Sequence, residues 1–377
     1  MAKFLFCLPR YHTNAIPWVE ILTTAGHEVC IDVMNIGPTE NHDLVIPKIH
    51  KIGWLSRLAF RSGLVTDRSI QGFPSIRRYW RRFQEADPEV VIVRGVTRWF
   101  CRLAALYAIV QRRTLVIYDQ EPVTSRRWTS TWFRREVFKW LGIVHFTPRI
   151  DESGQAGTDT GRARPLPFGC PFPTASTQAW GTRPLGWPPR LLMVAKYRDR
   201  KGHANLLAAL AQVASEVQFT ITFCGEEAST ADHEYRKALS LRATELGIGD
   251  RVTFLRNVPN SQMGELYASH DLFVLPSYAE PAAVSPIEAA WAGCAVLLSR
   301  DSGTRGYFPA GVEYDFDANT PDDIARALRN ILKAPEVLTR ARHKVRRHLE
   351  YVCGRDRILT EFERFLPSRN KVSHGRR

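Results

Sequence analysis

The stretch from Ser277 to Gly293 constrains the fold of this chain more than any other. It follows the run Leu272–Leu275, whose uninterrupted apolar character is typical of a buried strand. Small residues fill the loop after this run, and a helical segment follows in which Ser285 suits the N-cap and Gly293 the position just past the helix. The sequence therefore predicts a strand, a loop and a helix start whose N–H groups favour an anion.

Alternation of apolar runs and helical segments recurs along the whole chain. In the second half, strands are predicted at 191–195, 219–224, 252–255, 272–275 and 295–298, and helices at 203–213, 232–246, 261–269, 285–292 and 321–332. In the first half, strands are predicted at 3–8, 28–34, 90–93, 115–118 and 143–147. This alternation indicates an α/β fold with mostly parallel sheets covered on both faces. Two such halves imply two doubly wound, Rossmann-like domains facing across a cleft.

Composition narrows the class of protein without choosing a function. An apolar content of 44% in 377 residues is ordinary for a globular chain long enough for two domains. The formal charge of +14 favours phosphate-bearing ligands, nucleic acid or an anionic membrane surface. The 7 cysteines include no C-x-x-C pair, which predicts free thiols in a reducing cytoplasm and no zinc site. No signal peptide and no spanning segment are expected.

Two carboxylates bracket the loop before the predicted helix. Glu288 has an ordinary structural interpretation, because Ser285-x-x-Glu288 is a capping box in which the carboxylate reaches back to the N-cap N–H. Glu280 lies in the loop at the carboxyl end of a strand, where open α/β sheets bind their ligands. A carboxylate beside an anion-binding helix start is suited to accept hydrogen bonds from sugar hydroxyls.

The spacing Glu280-x7-Glu288, followed by Ala-Ala-x-Ala-Gly and the strand at 294–298, resembles the signature of retaining GT-B glycosyltransferases of group 1, or family 4. The resemblance implies that Glu280 contacts the donor sugar and that Glu288 contacts the nucleotide ribose. It also implies that the backbone at Ala283, Val284 and Ser285 binds the donor diphosphate.

A basic loop follows the first strand of the second half. The family usually has Gly-Arg here with Lys five residues on, and this chain has Lys196 and Lys201 at that spacing. Lysine keeps the charge of the usual arginine but loses its bidentate geometry. A charged loop is usually only solvated, yet its position at a strand end makes both lysines candidates for the catalytic machinery.

Three further positions are weaker candidates. Asp119 follows the strand ending at Tyr118, where related enzymes often carry a His-Asp pair, and capping of the next turn is the alternative. His12, in the first loop, either faces the cleft or is a surface histidine. Asp315-Phe316-Asp317 resembles the metal motif of the other glycosyltransferase fold, GT-A, but surface turn carboxylates fit its position better.

The resemblance and the linker composition together predict the domain limits. We expect an acceptor-side domain at 1–173, a linker at 174–189 and a nucleotide-sugar-binding domain at 190–345. A helix at 346–368 is expected to pack back on the first domain, and a basic tail at 369–377 to be disordered.

Two segments of the first half mix basic and aromatic residues, Arg77–Phe83 and Arg126–Leu141. This composition suits an interface with anionic lipid, although part of each aromatic stripe can belong to the domain core. We therefore expect a cytoplasmic protein held peripherally on the inner face of the cytoplasmic membrane.

The resemblance implies a retaining glycosyltransferase of hexosyltransferase type in surface polysaccharide or glycoconjugate biosynthesis. Its donor would be a nucleoside diphosphate sugar and its acceptor a saccharide or lipid-linked saccharide, with no metal and no other cofactor. A GT-B-fold sugar-nucleotide epimerase is the alternative with the same nucleotide site. A basic nucleic-acid-binding protein is the alternative of another class, although no nucleic-acid motif is present and we expect no nucleic-acid partner.

Overall fold

A computed structural model describes residues 1–11, 13–36, 43–53, 73–120, 142–151, 153–156, 163–170, 185–309 and 316–366. His12, Asp315, the segment Arg126–Leu141 and the tail lie outside the described residues, as does the linker up to residue 184. The chain divides into two compact units. Unit 1 comprises Met1–Pro148, Thr158–Gly169 and Arg355–Arg377, and unit 2 comprises Arg149–Gly157 and Cys170–Gly354.

Unit 1 is built on one parallel sheet with the strand order β3-β2-β1-β4-β5-β6-β7. Its strands are β1 (Lys3–Arg10), β2 (Glu28–Asn35), β3 (Lys48–Ile49), β4 (Val90–Arg94), β5 (Thr114–Tyr118), β6 (Val144–Thr147) and β7 (Arg164–Pro165). Its helices are α1 (Ile16–Thr24), α2 (Ile76–Ala86), α3 (Trp99–Val110) and, from the far end of the chain, α10 (Arg355–Glu363). The two-residue strands β3 and β7 lie at the sheet edges and have too little periodicity to be predicted.

Aromatic side chains join α10 to the rest of unit 1. The Phe362 ring lies 6.0 Å from Trp18 of α1 and 6.1 Å from Phe4 of β1, in edge-to-face geometry. All three side chains are buried. The last described helix is therefore part of the core of unit 1 although it follows unit 2 in sequence.

Unit 2 contains a second parallel sheet, with the strand order β10-β9-β8-β11-β12. Its strands are β8 (Arg190–Val194), β9 (Thr220–Gly225), β10 (Val252–Arg256), β11 (Leu272–Leu275) and β12 (Ala295–Leu298). Its helices are α4 (His203–Val213), α5 (Thr230–Glu245), α6 (Asn260–Ala268), α7 (Ser285–Trp291), α8 (Pro321–Leu332) and α9 (Pro335–Val352). The α/β fold with parallel sheets is thus confirmed.

The predicted strands of this half are all present, each shifted by at most one residue at either end. Residues 346–352, which the sequence placed in the helix returning to the first domain, continue α9 in unit 2 instead. The helical segment breaks near Gly354, and only α10 belongs to unit 1.

Candidate functional site

The candidate site is formed by the loops at the carboxyl ends of β8, β11 and β12 in unit 2. The loops are tied together by the backbone: Tyr278 N–H donates to the Arg200 carbonyl at 3.1 Å, and Gly303 N–H donates to the Glu280 carbonyl at 2.8 Å. The Ser285 hydroxyl at the start of α7 donates to the carbonyl of Val194, the last residue of β8, at 3.0 Å. These bonds hold distant chain segments in one arrangement around the strand ends.

Close packing at Gly202 brings two of these loops together. This residue has φ = +76°, and a Cβ placed there would lie 2.0 Å from the Pro276 carbonyl oxygen. Only glycine fits both the left-handed backbone and the contact. On the other loop Ala279 has φ = +49°, which is uncommon for a residue with a side chain. The backbone strain at Ala279 therefore lies directly beside Glu280.

Glu280 and Lys201, both predicted as site residues, form a buried ion pair. The Arg200 guanidinium adds a second contact, 3.3 Å from the same carboxylate oxygen, and its side chain is half exposed. Burial lowers the pKa of the Lys201 ammonium, and the Glu280 carboxylate opposes that shift. The site therefore holds one carboxylate between two cations, in loops that a ligand above the strands would meet.

Lys196, the other predicted lysine, has a different partner. Its ammonium pairs with Glu226 at 2.5 Å, and 42% of its side chain is exposed. Its charge still acts on Lys201, whose pKa it helps to lower. The structure thus brings Lys201, and not Lys196, into contact with Glu280.

The start of α7 differs from the prediction. Val284, and not Ser285, is the N-cap residue, and no side chain caps the helix. The capping box does not form because the Ser285 hydroxyl binds Val194 and the Glu288 carboxylate binds elsewhere. Among the described residues, the N–H groups of Val284 and Ser285 have no hydrogen-bond acceptor. The buried Ala283 precedes them, so the three predicted diphosphate-binding positions lie together at one helix start.

Glu288 is buried on the first turn of α7. The Tyr267 hydroxyl of α6 donates a hydrogen bond of 2.7 Å to its carboxylate. Burial raises the pKa of Glu288, and the bond from Tyr267 opposes that shift. The Glu288 carboxylate is therefore held in place as a hydrogen-bond acceptor. Its ionised form is disfavoured by burial unless a further hydrogen-bond donor or cation contacts it.

Asp119 lies in unit 1, immediately after β5. Its N–H donates to the Phe146 carbonyl at 3.0 Å, which continues the pairing of β5 with β6. Neighbouring Tyr118 is buried, and its hydroxyl accepts a hydrogen bond of 2.6 Å from Gln120. Asp119 thus follows a strand end, as predicted, in the unit that does not contain the Glu280 pair.

Asp317, the described carboxylate of the D-x-D motif, shapes a turn. It accepts hydrogen bonds from the Asn319 backbone at 2.9 Å and from the Asn319 side-chain amide at 3.0 Å. Within the described ranges, no group of three or more His, Cys, Asp and Glu side chains is arranged to hold a metal ion.

Two contributors to the site, Arg200 and Tyr267, were not singled out from the sequence. Arg200 stands beside Lys201 in the basic loop, so its charge was visible but its contact with Glu280 was not. Tyr267 lies on a different helix from Glu288, and no sequence pattern links the two.

The fold and the site together define a class of protein: the chain has the two-domain α/β architecture of the GT-B glycosyltransferases. It is similar to sucrose-phosphate synthase from Thermosynechococcus elongatus, with a TM-score of 0.65, 17% identity and coverage of 96% of this chain and 98% of that one. It is also similar to HepE from Anabaena in complex with UDP-glucose, with a TM-score of 0.69, 17% identity and coverage of 97% and 99%. Identity this low establishes the fold alone.

Sequence comparison finds similarity in the second unit. Residues 183–348 match the profile described as Glycosyl transferases group 1. Its relatives include the D-inositol 3-phosphate glycosyltransferase of Corynebacterium jeikeium, 29% identical over 161 residues. That alignment covers 40% of this chain and 37% of the relative, so the chain spans well under half of the relative's length.

Proposed function

We propose that this protein is a retaining, metal-independent glycosyltransferase that uses a nucleoside diphosphate sugar. The observation that carries the proposal is the buried Lys201–Glu280 pair at the strand ends. The N–H groups of Val284 and Ser285 lie in the same group of loops and have no hydrogen-bond acceptor among the described residues. Cations and free N–H groups suit a diphosphate, and a carboxylate suits sugar hydroxyls.

In the proposed reaction, negative charge gathers on the diphosphate as it leaves. Lys201, Arg200 and the start of α7 would stabilise that charge, and Lys196 would add a longer-range contribution. Each charge-assisted hydrogen bond contributes about 1.5–3 kcal/mol, so three such contacts supply a substantial part of the acceleration. Glu280 would orient the sugar and fix its anomeric carbon against the acceptor.

Retention follows if the acceptor attacks from the face that the diphosphate leaves. The bond from the anomeric carbon to the phosphate oxygen breaks, the bond to the acceptor oxygen forms, and the acceptor proton passes to the leaving phosphate. Asp119 stays a weaker candidate for a contact near the reacting centre.

The donor can be identified by thermal shift with a panel of sugar nucleotides, UDP-glucose among them because HepE binds it. A ligand at 100 times its dissociation constant stabilises a one-site protein by about 2.7 kcal/mol. Wild type should be stabilised by at least one donor and Lys201→Ala by none, while Lys237→Ala on α5 serves as the surface control. Equal stabilisation of wild type and Lys201→Ala would remove Lys201 from the donor site.

Product analysis separates the glycosyltransferase from the epimerase. A glycosyltransferase releases nucleoside diphosphate and forms a new glycosidic bond only when an acceptor is present, whereas an epimerase returns an altered sugar without one. The anomeric configuration of the product, read from its proton couplings, tests retention.

We also propose a peripheral position on the inner membrane face and a lipid-linked acceptor. The exposed side chains of Arg77, Arg78 and Arg81 on α2 support this proposal. The aromatic part of this cluster is smaller than expected, because Tyr79 and Phe83 are buried in the core of unit 1. Arginine charge, rather than inserted rings, would then hold this surface on anionic lipid.

A further inference from the structure

One face of α9, far along the sequence from α2, carries a row of basic side chains. Their spacing of three and four residues places them on the same side of the helix. We call this row the α9 cationic face: Arg340, His343, Lys344, Arg347 and His348. His348 is partly buried, and the other four are exposed.

The opposite face of α9 fixes the helix in unit 2. Its buried side chains are Leu338, Arg342, Val345, Arg346, Leu349 and Val352. The Arg346 guanidinium stacks on the Trp291 ring of α7 at 3.5 Å and also donates to the Trp291 carbonyl. The α9 cationic face is therefore presented on a helix packed against unit 2 rather than on a loop.

The α9 cationic face lines a groove with a cavity volume of about 680 Å³. Pro309 and Tyr351 complete its lining, which contains no Asp or Glu among the described residues. Arg340 and Arg347 form no ion pair with any acid in the described part of the chain. Tyr351 is 62% exposed at the end of the row.

We propose that the α9 cationic face is a docking surface for an anionic lipid membrane. The row extends over eight helical rises, about 12 Å, so it presents charge along a line rather than around a point. The exposed guanidinium groups of Arg340 and Arg347 stand apart along one face of the helix, which suits a surface of phosphate headgroups better than one enclosed phosphate. Tyrosine is favoured where an apolar ring and a polar hydroxyl meet the membrane interface. This surface belongs to unit 2, whereas α2 belongs to unit 1, and its proposed role does not depend on the proposed donor site.

Co-sedimentation with vesicles tests the proposal on the full chain. Wild type should bind vesicles of phosphatidylcholine mixed with phosphatidylglycerol, ignore phosphatidylcholine alone, and release as salt is added. Arg340→Gln/Arg347→Gln should lower the partition coefficient about 30-fold, and Arg340→Glu/Arg347→Glu should lower it further. The control Lys237→Glu/Arg242→Glu makes the same charge change on exposed positions of α5 and should have a much smaller effect.

The outcomes separate this surface from its rivals. If both Arg340/Arg347 variants bind vesicles as strongly as wild type, the proposal is overturned. It is also overturned if vesicle binding is lost only in Arg77→Glu/Arg81→Glu, because that result would assign membrane binding to α2. If the protein binds short duplex DNA through Arg340 and Arg347 and does not bind vesicles, the surface is assigned to nucleic acid instead. Circular dichroism verifies that each variant is folded. The thermal shift induced by the donor should be unchanged in these variants, so a failure of membrane docking can be told apart from a failure of the donor site.

Discussion

Glu280 in unit 2 and Asp32 in unit 1 are both buried carboxylates that pair with cations, and their settings can be compared. The Asp32 side chain is fully buried, 2.9 Å from the His50 ring and 3.3 Å from the Arg82 guanidinium. Asp32 lies within β2, between Cys7 of β1 and Lys48 of β3 in the sheet register. Glu280 lies in a loop beyond the end of β11.

The two carboxylates are similarly buried, but the groups that surround them differ. The partner of Asp32, His50, packs 4.6 Å from the Tyr79 ring in an aromatic layer under α2. Glu280 is surrounded by loop backbone, half-exposed Arg200 and a strained Ala279. The two carboxylates share burial and pairing, and Glu280 differs by its position at the carboxyl ends of parallel strands, where open α/β sheets bind their ligands.

The largest effect should come from Asp32→Ala, acting on stability. Removing one partner of a buried ion pair leaves uncompensated charge and costs about 3 kcal/mol or more. We expect chemical denaturation to show this loss, while kcat/KM per folded molecule stays near wild type. The control Glu28→Ala, in the same strand but in an exposed pair with Lys3 at 3.2 Å, should cost less than about 1 kcal/mol. A large fall in kcat/KM would move Asp32 into the functional machinery.

Glu280→Gln and Lys201→Ala should affect activity next most strongly. Each should lower kcat/KM at least about 100-fold, which corresponds to about 2.7 kcal/mol of transition-state stabilisation. Denaturation curves must accompany the kinetics, because this pair is buried too. Lys196→Ala is the matched lysine control and should have a smaller effect, since Lys196 pairs with Glu226. Near-wild-type turnover by folded Lys201→Ala would contradict the mechanism.

Glu288→Gln should separate stability from donor binding. A carboxyl whose pKa is raised by folding stabilises the folded chain below its ordinary pKa of 4.5, and that contribution is lost as pH rises through the folded-state pKa. Gln stays neutral, so this variant should melt a few degrees higher than wild type at neutral pH, with the difference vanishing in acid. Donor affinity should fall if Glu288 contacts the nucleotide ribose, as the family resemblance implies.

Tyr267→Phe is the partner experiment for Glu288. Loss of the Tyr267 hydrogen bond raises the pKa of Glu288 further, so the pH dependence of donor affinity should move to higher pH. Unchanged donor affinity and pH profile in both variants would leave Glu288 with a structural role only.

The smallest expected effect is that of chelation. Activity should survive EDTA, because Lys201, Arg200 and the start of α7 are proposed to act where a metal ion would. Loss of activity with EDTA and rescue by Mn²⁺ or Mg²⁺ would instead favour the Asp315-Phe316-Asp317 motif as a metal site.

The sequence by itself determined the α/β class and the positions of the longer strands, and it predicted that Lys201 and Glu280 lie at neighbouring strand ends. Apolar runs such as Leu272–Leu275 are local signals, and parallel strands bring their carboxyl ends to one edge, so Lys201 and Glu280 could be expected near each other. Tertiary structure alone decided the partners at the start of α7. Ser285 binds Val194 across 91 residues, and Glu288 accepts from Tyr267 across 21, which replaces a capping box that local pattern favoured. Local sequence spacing does not predict such bonds, because a polar side chain can bind any donor or acceptor that tertiary packing brings within hydrogen-bond distance.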